Sequence, residues 1–313
     1  MRIRQSEAPA SAEHQVRLIP RPALTLAIGA LLVSVSSVLI DLSAVSPGTA
    51  SFYRCLLALP FLLALAWYER RDQARPARRA GLVAAIAGAF FAGDMLLWTQ
   101  AIAEVGAGLS TVLVNVQVVL VPLLAWLVDR ERVTRRYLYW VPVLIVGVVL
   151  SSGILGGAAV GSEPVAGTVH ALLAAVCYTA FLYLLRRGGS RGSPVQNYVV
   201  VIAVAGLVSL VAGALWRGVD LAPGWAPIGW LLGVAVAGTV LGWLLVATMS
   251  PRLPSHVGAV LLMLTPVGAV ILGAIVLGER PTIVQLAGCG LILAGAYLGT
   301  HRLPHRSRAR ADD

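Results

Sequence analysis

Lysine is missing from this chain altogether: all 24 basic side chains are arginine, and only 12% of the 313 residues are charged. Without lysine there is no Gly-x-x-x-x-Gly-Lys-Ser/Thr loop, which excludes a nucleotide-driven pump built on that phosphate cradle. Cysteine is scarce. Cys55, Cys177 and Cys289 each sit inside an apolar run, with no Cys-x-x-Cys and no histidine at ligand spacing. Neither a disulfide framework nor a zinc site is expected. No Gly-x-Ser-x-Gly and no His-Glu-x-x-His occurs, so the common embedded hydrolases have no foothold. His301 and His305 are four apart, but Pro304 lies between them. No metal and no cofactor are expected.

Apolar residues are abundant instead. They make up 58% of the chain, where soluble domains run near 45–50% apolar and about 25% charged. In water that surplus would leave apolar surface exposed, whereas a bilayer solvates it. Runs long enough to span hydrocarbon lie at 22–41, 47–67, 80–103, 107–128, 137–153, 165–185, 195–216, 225–248, 255–277 and 281–300. The expected fold is therefore all-α and integral to the membrane, with ten transmembrane helices. Residues 1–21 lack a short apolar core with a small-residue cleavage site, so they read as a cytoplasmic tail. Residues 301–313 read as a second cytoplasmic tail, rich in arginine.

The net charge of +10 does not point to nucleic acid, because the arginines lie between the apolar runs. With the N-terminus inside, 21 arginines fall in cytoplasmic segments, Arg217 and Arg280 fall outside, and Arg54 lies within a span. Loop arginine sets orientation, so this division predicts a multi-pass protein of the inner (plasma) membrane with both termini cytoplasmic.

A shift of 148 residues superposes one half on the other. Leu113 falls on Leu261, Leu124 on Leu272, Glu131-Arg132 on Glu279-Arg280, Thr134 on Thr282 and Gly147 on Gly295. The units are 22–153 and 164–300, each of five spans. An odd count inverts the second copy, which is the plan of many secondary transporters, with the substrate near the midplane where the repeats meet.

These features resemble the drug/metabolite transporter superfamily, in particular its ten-helix EamA-type exporters. The matching residues are Arg54 within Ser-Phe-Tyr-Arg-Cys-Leu-Leu-Ala, Trp98-Thr-Gln-Ala101, and Pro122 within Val-Pro-Leu-Leu-Ala-Trp. Both Glu-Arg turns also match, as do the Gly147-Val-Val-Leu and Gly295-Ala-Tyr-Leu tails. One departure is Asp129-Arg130-Glu131-Arg132, where such units commonly carry glycine before Glu-Arg. The resemblance implies export of a metabolite or drug and leaves the substrate open. A lipid or amphiphile carrier of the same fold is the alternative, and an embedded enzyme ranks last.

Charges inside spans single out the working residues, since one at a helix centre costs about 2.5–3.5 kcal/mol on insertion scales. Arg54 lies roughly 10 Å below the start of the second span and Asp94 roughly 14 Å before the end of the third, at similar depth. They are expected to pair across a central cavity, with Asp41 nearer the outer mouth. Trp98 follows Asp94 by four residues, on the same face. Asn115 and Gln117 on the fourth span, and His170 and Tyr178 on the sixth, are further polar candidates. Such groups suit an amino acid, amine or nucleobase-like solute, and a buried acid can carry a coupling proton. For each there is a structural alternative: a static Arg54–Asp94 lock, a packing hydrogen bond at His170, an interfacial anchor at Trp98. Pro122 and Pro266 interrupt corresponding spans and are the expected hinges. Small residues such as Gly81, Gly88, Gly288, Gly290 and Gly295 are expected to let helices approach closely.

Overall fold

The computed structural model describes residues 22–69, 78–130, 135–151, 163–188, 194–249 and 261–300. The helices are α1 (Pro22–Ser43), α2 (Pro47–Glu69), α3 (Arg78–Val105), α4 (Ala107–Val114), α5 (Gln117–Asp129), α6 (Arg135–Ser151), α7 (Pro164–Gly188) and α8 (Pro194–Trp216). Then come α9 (Trp225–Gly233), a π-helical segment (Val234–Gly242), α10 (Trp243–Met249), α11 (Leu264–Leu272), a second π-helical segment (Gly273–Leu277) and α12 (Ile283–Thr300). No strand occurs among the described residues.

Local sequence sets the boundaries. Four of the helices begin on proline, whose fixed φ and missing N–H suit the first helical position. Gly106 separates α3 from α4 with φ of 87°, and Gly278 ends the second π-helical segment with φ of 69°, both in the region that L side chains avoid. The backbone N–H of Glu279 then closes the turn on the Gly273 carbonyl at 3.1 Å.

Seven helical stretches are long and apolar enough to cross a bilayer: Pro22–Ser43, Pro47–Glu69, Arg79–Val105, Ala107–Asp129, Pro164–Leu185, Val195–Trp216 and Trp225–Val246. In place of the expected fifth, ninth and tenth spans stand three shorter apolar helices, Tyr139–Ser151, Leu264–Leu277 and Ile283–Gly295. The start expected for the ninth span, at 255–260, lies outside the described residues, as do the two tails and the Glu131-Arg132 turn. Large apolar side chains such as Trp67, Tyr139, Leu215, Trp225 and Ile283 are exposed on the outside of the bundle. A solvent of lipid tolerates such a surface, and water does not.

The first half of the chain packs through the second. α3 lies along α7 and α8, and α2 along α8. α1 is held by α9, α10, α11 and the first π-helical segment, so it is enclosed by residues far away in sequence. These contacts rest on missing side chains. A Cβ at Gly29 would sit 3.0 Å from Leu245, and one at Gly242 would sit 2.8 Å from Val33. One at Gly238 would overlap Ser36 Oγ. Three of the four buried serines of α1 return their protons to their own helix, Ser34 to Leu31, Ser37 to Ser34 and Ser43 to Ile40 at 2.6–2.9 Å, while Ser36 Oγ is buried without a partner.

The expectation about small residues divides. A Cβ at Gly88 would meet the Val201 carbonyl at 2.6 Å, one at Gly288 the Ser151 amide at 2.5 Å, and one at Gly295 the Leu144 side chain at 2.9 Å. Gly81 and Gly290 have nothing within 4 Å. A backbone-on-backbone approach joins α2 to α8, where a Cβ on Gly213 would lie 2.5 Å from Gly48 Cα. Because neither backbone can yield cheaply, Gly213→Val should destabilise the bundle by about 1–3 kcal/mol. Thermal unfolding in detergent should show that drop, while Gly290→Ala leaves the midpoint unchanged or higher.

Candidate functional site

Midway along α2, Arg54 is 4% exposed, and its Nη2 donates a long hydrogen bond of 3.5 Å to Thr239 Oγ1. Its Cζ lies 5.8 Å from the centre of the Trp98 ring. Nε and Nη1 have no partner. On α3, Asp94 is 6% exposed, lies within electrostatic reach of Arg54, and has no partner for Oδ1. The direct Arg54–Asp94 ion pair expected from their matching depth is not formed. The guanidinium turns to Thr239 and Trp98 instead, while Asp94 stands within electrostatic reach of Cys177 and Tyr178 on α7. The indole Nε1 of Trp98 is also buried without an acceptor.

Two residues that sequence reasoning passed over complete this centre. Thr239 sits in the first π-helical segment, whose wider turn carries its hydroxyl to the Val234 carbonyl five residues back. Tyr198 on α8 donates to the Thr239 carbonyl at 3.2 Å. Neither is charged and each lies in an apolar run, so only a search for polar side chains at matching depth could have found them. Tyr178 joins an aromatic group, with ring centroids 5.9 Å from Phe181 and 6.0 Å from Trp243. The centre thus offers unpaired cationic donors, an unpaired carboxylate oxygen and an aromatic wall. Such groups match a small solute that carries both an anionic and a cationic end.

Other candidates lie elsewhere. Asn115 spends its amide on Thr111 of its own chain turn at 3.0 Å, and Gln117 begins α5, half-buried. The expected hinge at Pro122 is displaced: α5 runs unbroken through Pro122, and the interruption falls earlier, at Asn115–Val116. Pro266 is the third residue of α11, just past a break at Met263. Its missing N–H leaves the Leu262 carbonyl without a helical donor.

His170 stands about two turns from Tyr178 along α7, toward the end of the bundle where α1 finishes, which we call the far end. Its Nδ1 lies at hydrogen-bond distance, 2.6 Å, from Glu104 Oε2. Gln100 donates to the other oxygen of Glu104 at 2.7 Å. The ring of His170 also lies 5.7 Å from that of Trp216. The contact joins α3 to α7. Glu104, at the end of the third run, was legible as an acid one helical turn from Gln100, and the sequence reading overlooked it.

Asp41 is half-buried at the far end. It lies within electrostatic reach of Glu279, whose carboxylate accepts the first two amides of α4: Ala107 at 2.5 Å and Gly108 at 3.1 Å. Burial pushes the Glu279 carboxyl above its ordinary range, the two amides offset part of that rise, and Asp41 adds to it.

A model of the EamA-like transporter family matches residues 21–153 and 165–300. The chain belongs to the EamA-like transporter family. This EamA-like chain is 28% identical over 211 residues to a probable amino-acid metabolite efflux pump of Salmonella typhimurium strain LT2, a match covering 65% of it and 71% of that protein. It is 29% identical over 147 residues to the threonine/homoserine exporter RhtA of Escherichia coli K12, which covers 47% of this chain and 49% of that protein. A solved crystal structure shares the fold, with a TM-score of 0.60 at 17% identity, over 89% of this chain and 96% of the other. Family and apolar helices together make this EamA-like protein a multi-pass membrane protein.

Removing the Glu104 carboxylate leaves His170 and Gln100 facing an empty acceptor position. Glu104→Ala should cost about 1–3 kcal/mol in thermal unfolding, and Glu104→Gln, which keeps one acceptor, should cost less.

Proposed function

We propose that this protein is a secondary transporter that exports a small metabolite of amino-acid type, by alternating access between two inverted five-helix repeats. The repeats are 22–153 and 164–300, with ten spans in the inner membrane and both termini in the cytoplasm. The observation that carries the reading is the set of unmet polar atoms at the centre: Nε and Nη1 of Arg54, and Oδ1 of Asp94. An amino-acid zwitterion supplies a carboxylate for the first and an ammonium for the second, with charge-assisted hydrogen bonds that a buried site strengthens. Trp98 and Tyr178 would flank the solute, and Thr239 and Tyr198 would hold Arg54 in place. The two relatives named for amino-acid or threonine/homoserine export support the substrate class.

The inverted plan draws support from two helix breaks. Asn115 and Met263, where the fourth and ninth runs are interrupted, coincide under the 148-residue shift. Matching interruptions in the two halves point toward the site in repeat-built transporters. Opposite charges close to neutral in sum would let the empty site cross between its two exposures.

Counterflow in proteoliposomes preloaded with unlabelled amino acids, polyamines or nucleobases tests this reading. Tracer should accumulate for an amino acid and fall at least tenfold in both Arg54→Ala and Asp94→Asn. Accumulation that survives both substitutions would place the site elsewhere, and accumulation of polyamines alone would overturn the zwitterion assignment.

A further inference from the structure

Between the central site and the far end lies an apolar layer of Val38 and Ile40 from α1, Ile102 from α3, Ala107 from α4 and Val234, with Trp98 packed against it. Four of these come from the first half of the chain, and Val234 from the second. α4 is the shortest piece of the layer, with eight residues. It is also set apart at both ends: Gly106 precedes it at positive φ, and the break at Asn115–Val116 follows it. No side chain of its own caps its first turn. That turn is held instead by Glu279, from a loop about 170 residues away, which accepts the amides of both Ala107 and Gly108.

The space for this carboxylate is made by glycines on two sides. A Cβ on Gly108 would lie 3.0 Å from Glu279 Oε2, and one on Gly273 would overlap that carboxylate. A negative group on the first amides of a helix also meets the positive end of its dipole. Glu279 is thus a polar anchor by which the second half of the chain holds the short segment of the first, beside the packing of α11 along it.

We propose that Glu279 is the latch of a gate at the far end, holding α4 and the apolar layer closed over the substrate site. Release of α4 from Glu279 exposes the Arg54–Asp94 centre to that side of the membrane. The proposal rests on the transporter reading for its purpose but not for its test.

Hydrogen exchange of the intact protein in nanodiscs reads the latch directly, with no solute present. In Glu279→Ala, peptides spanning 106–116 should exchange at least tenfold faster, with α2 and α8 peptides unchanged. Glu279→Gln keeps one acceptor oxygen and should give a smaller rise at the same peptides, which covers the case in which the alanine variant fails to fold. Unchanged exchange of 106–116 in either folded variant, or an equal rise across all helices, would overturn the latch.

The sign of the pH effect follows from burial. Asp41 of α1 is the charged group within electrostatic reach of Glu279, and Arg280 follows Glu279 in the loop; Glu104, three residues before α4, is engaged by His170 and Gln100. With its pKa raised in the closed state and ordinary once hydrated, Glu279 binds a proton more tightly when closed. Protection of α4, corrected for intrinsic exchange, should therefore fall as pH rises through the raised value. That dependence should vanish in Glu279→Gln, and its persistence there would count against the assignment. If α4 loosens as expected while no solute shows counterflow, the exporter reading fails and the latch stands.

Discussion

A guanidinium enclosed by apolar helices has nowhere to shed its charge, because arginine does not deprotonate in proteins. Arg54 therefore imposes an obligation on everything around it. Thr239 and the face of Trp98 meet that obligation only in part, through one long hydrogen bond and one cation–π contact. Asp94 lies within electrostatic reach without touching it and keeps an oxygen unmet. A purely structural pair would be expected to close up, since a buried charge gains most from direct contact and full hydrogen bonding. In the proposed function, a solute that carries both signs completes that open geometry.

The surroundings are arranged to sustain that openness. The π-helical segment puts Thr239 where an ordinary helix would not, Tyr198 pins the Thr239 carbonyl, and the aromatic group of Tyr178, Phe181 and Trp243 stiffens the side facing α7. Toward the far end, α4 and Glu279 tie the two halves of the chain together. Toward the other, the Glu69 carboxylate accepts the backbone amides of Val195 and Gln196 at the start of α8. Both contacts use a carboxylate on helix amides, so they are short-ranged and depend on orientation.

Much of this was legible in the sequence. Apolar runs gave the helices, because a bilayer leaves the backbone few alternatives, and Arg54, Asp94 and Trp98 stood out as polar groups where polarity is expensive. What escaped reading depended on partners distant in sequence. Thr239 and Tyr198 are ordinary residues until a π turn and a neighbouring helix bring them to Arg54. Glu279 looked like a turn residue, and only the fold sets it on α4, some 170 residues away. Pro122 drew attention as a helix breaker, yet α5 tolerates it, while the nearby break falls at Asn115–Val116, where sequence shows no breaker.

The position of α1 has a consequence for biosynthesis. Its neighbours α9, α10 and α11 are made about 200 residues later, a delay on the order of 10–40 s at ordinary rates of synthesis. During that interval the helix must wait in lipid with no packing partner for the face that will be enclosed. Ser34, Ser37 and Ser43 can wait at little cost, because their hydroxyls already bond the carbonyls of their own helix. Three of the four buried serine hydroxyls of α1 are thus already bonded before the helices that enclose it are made.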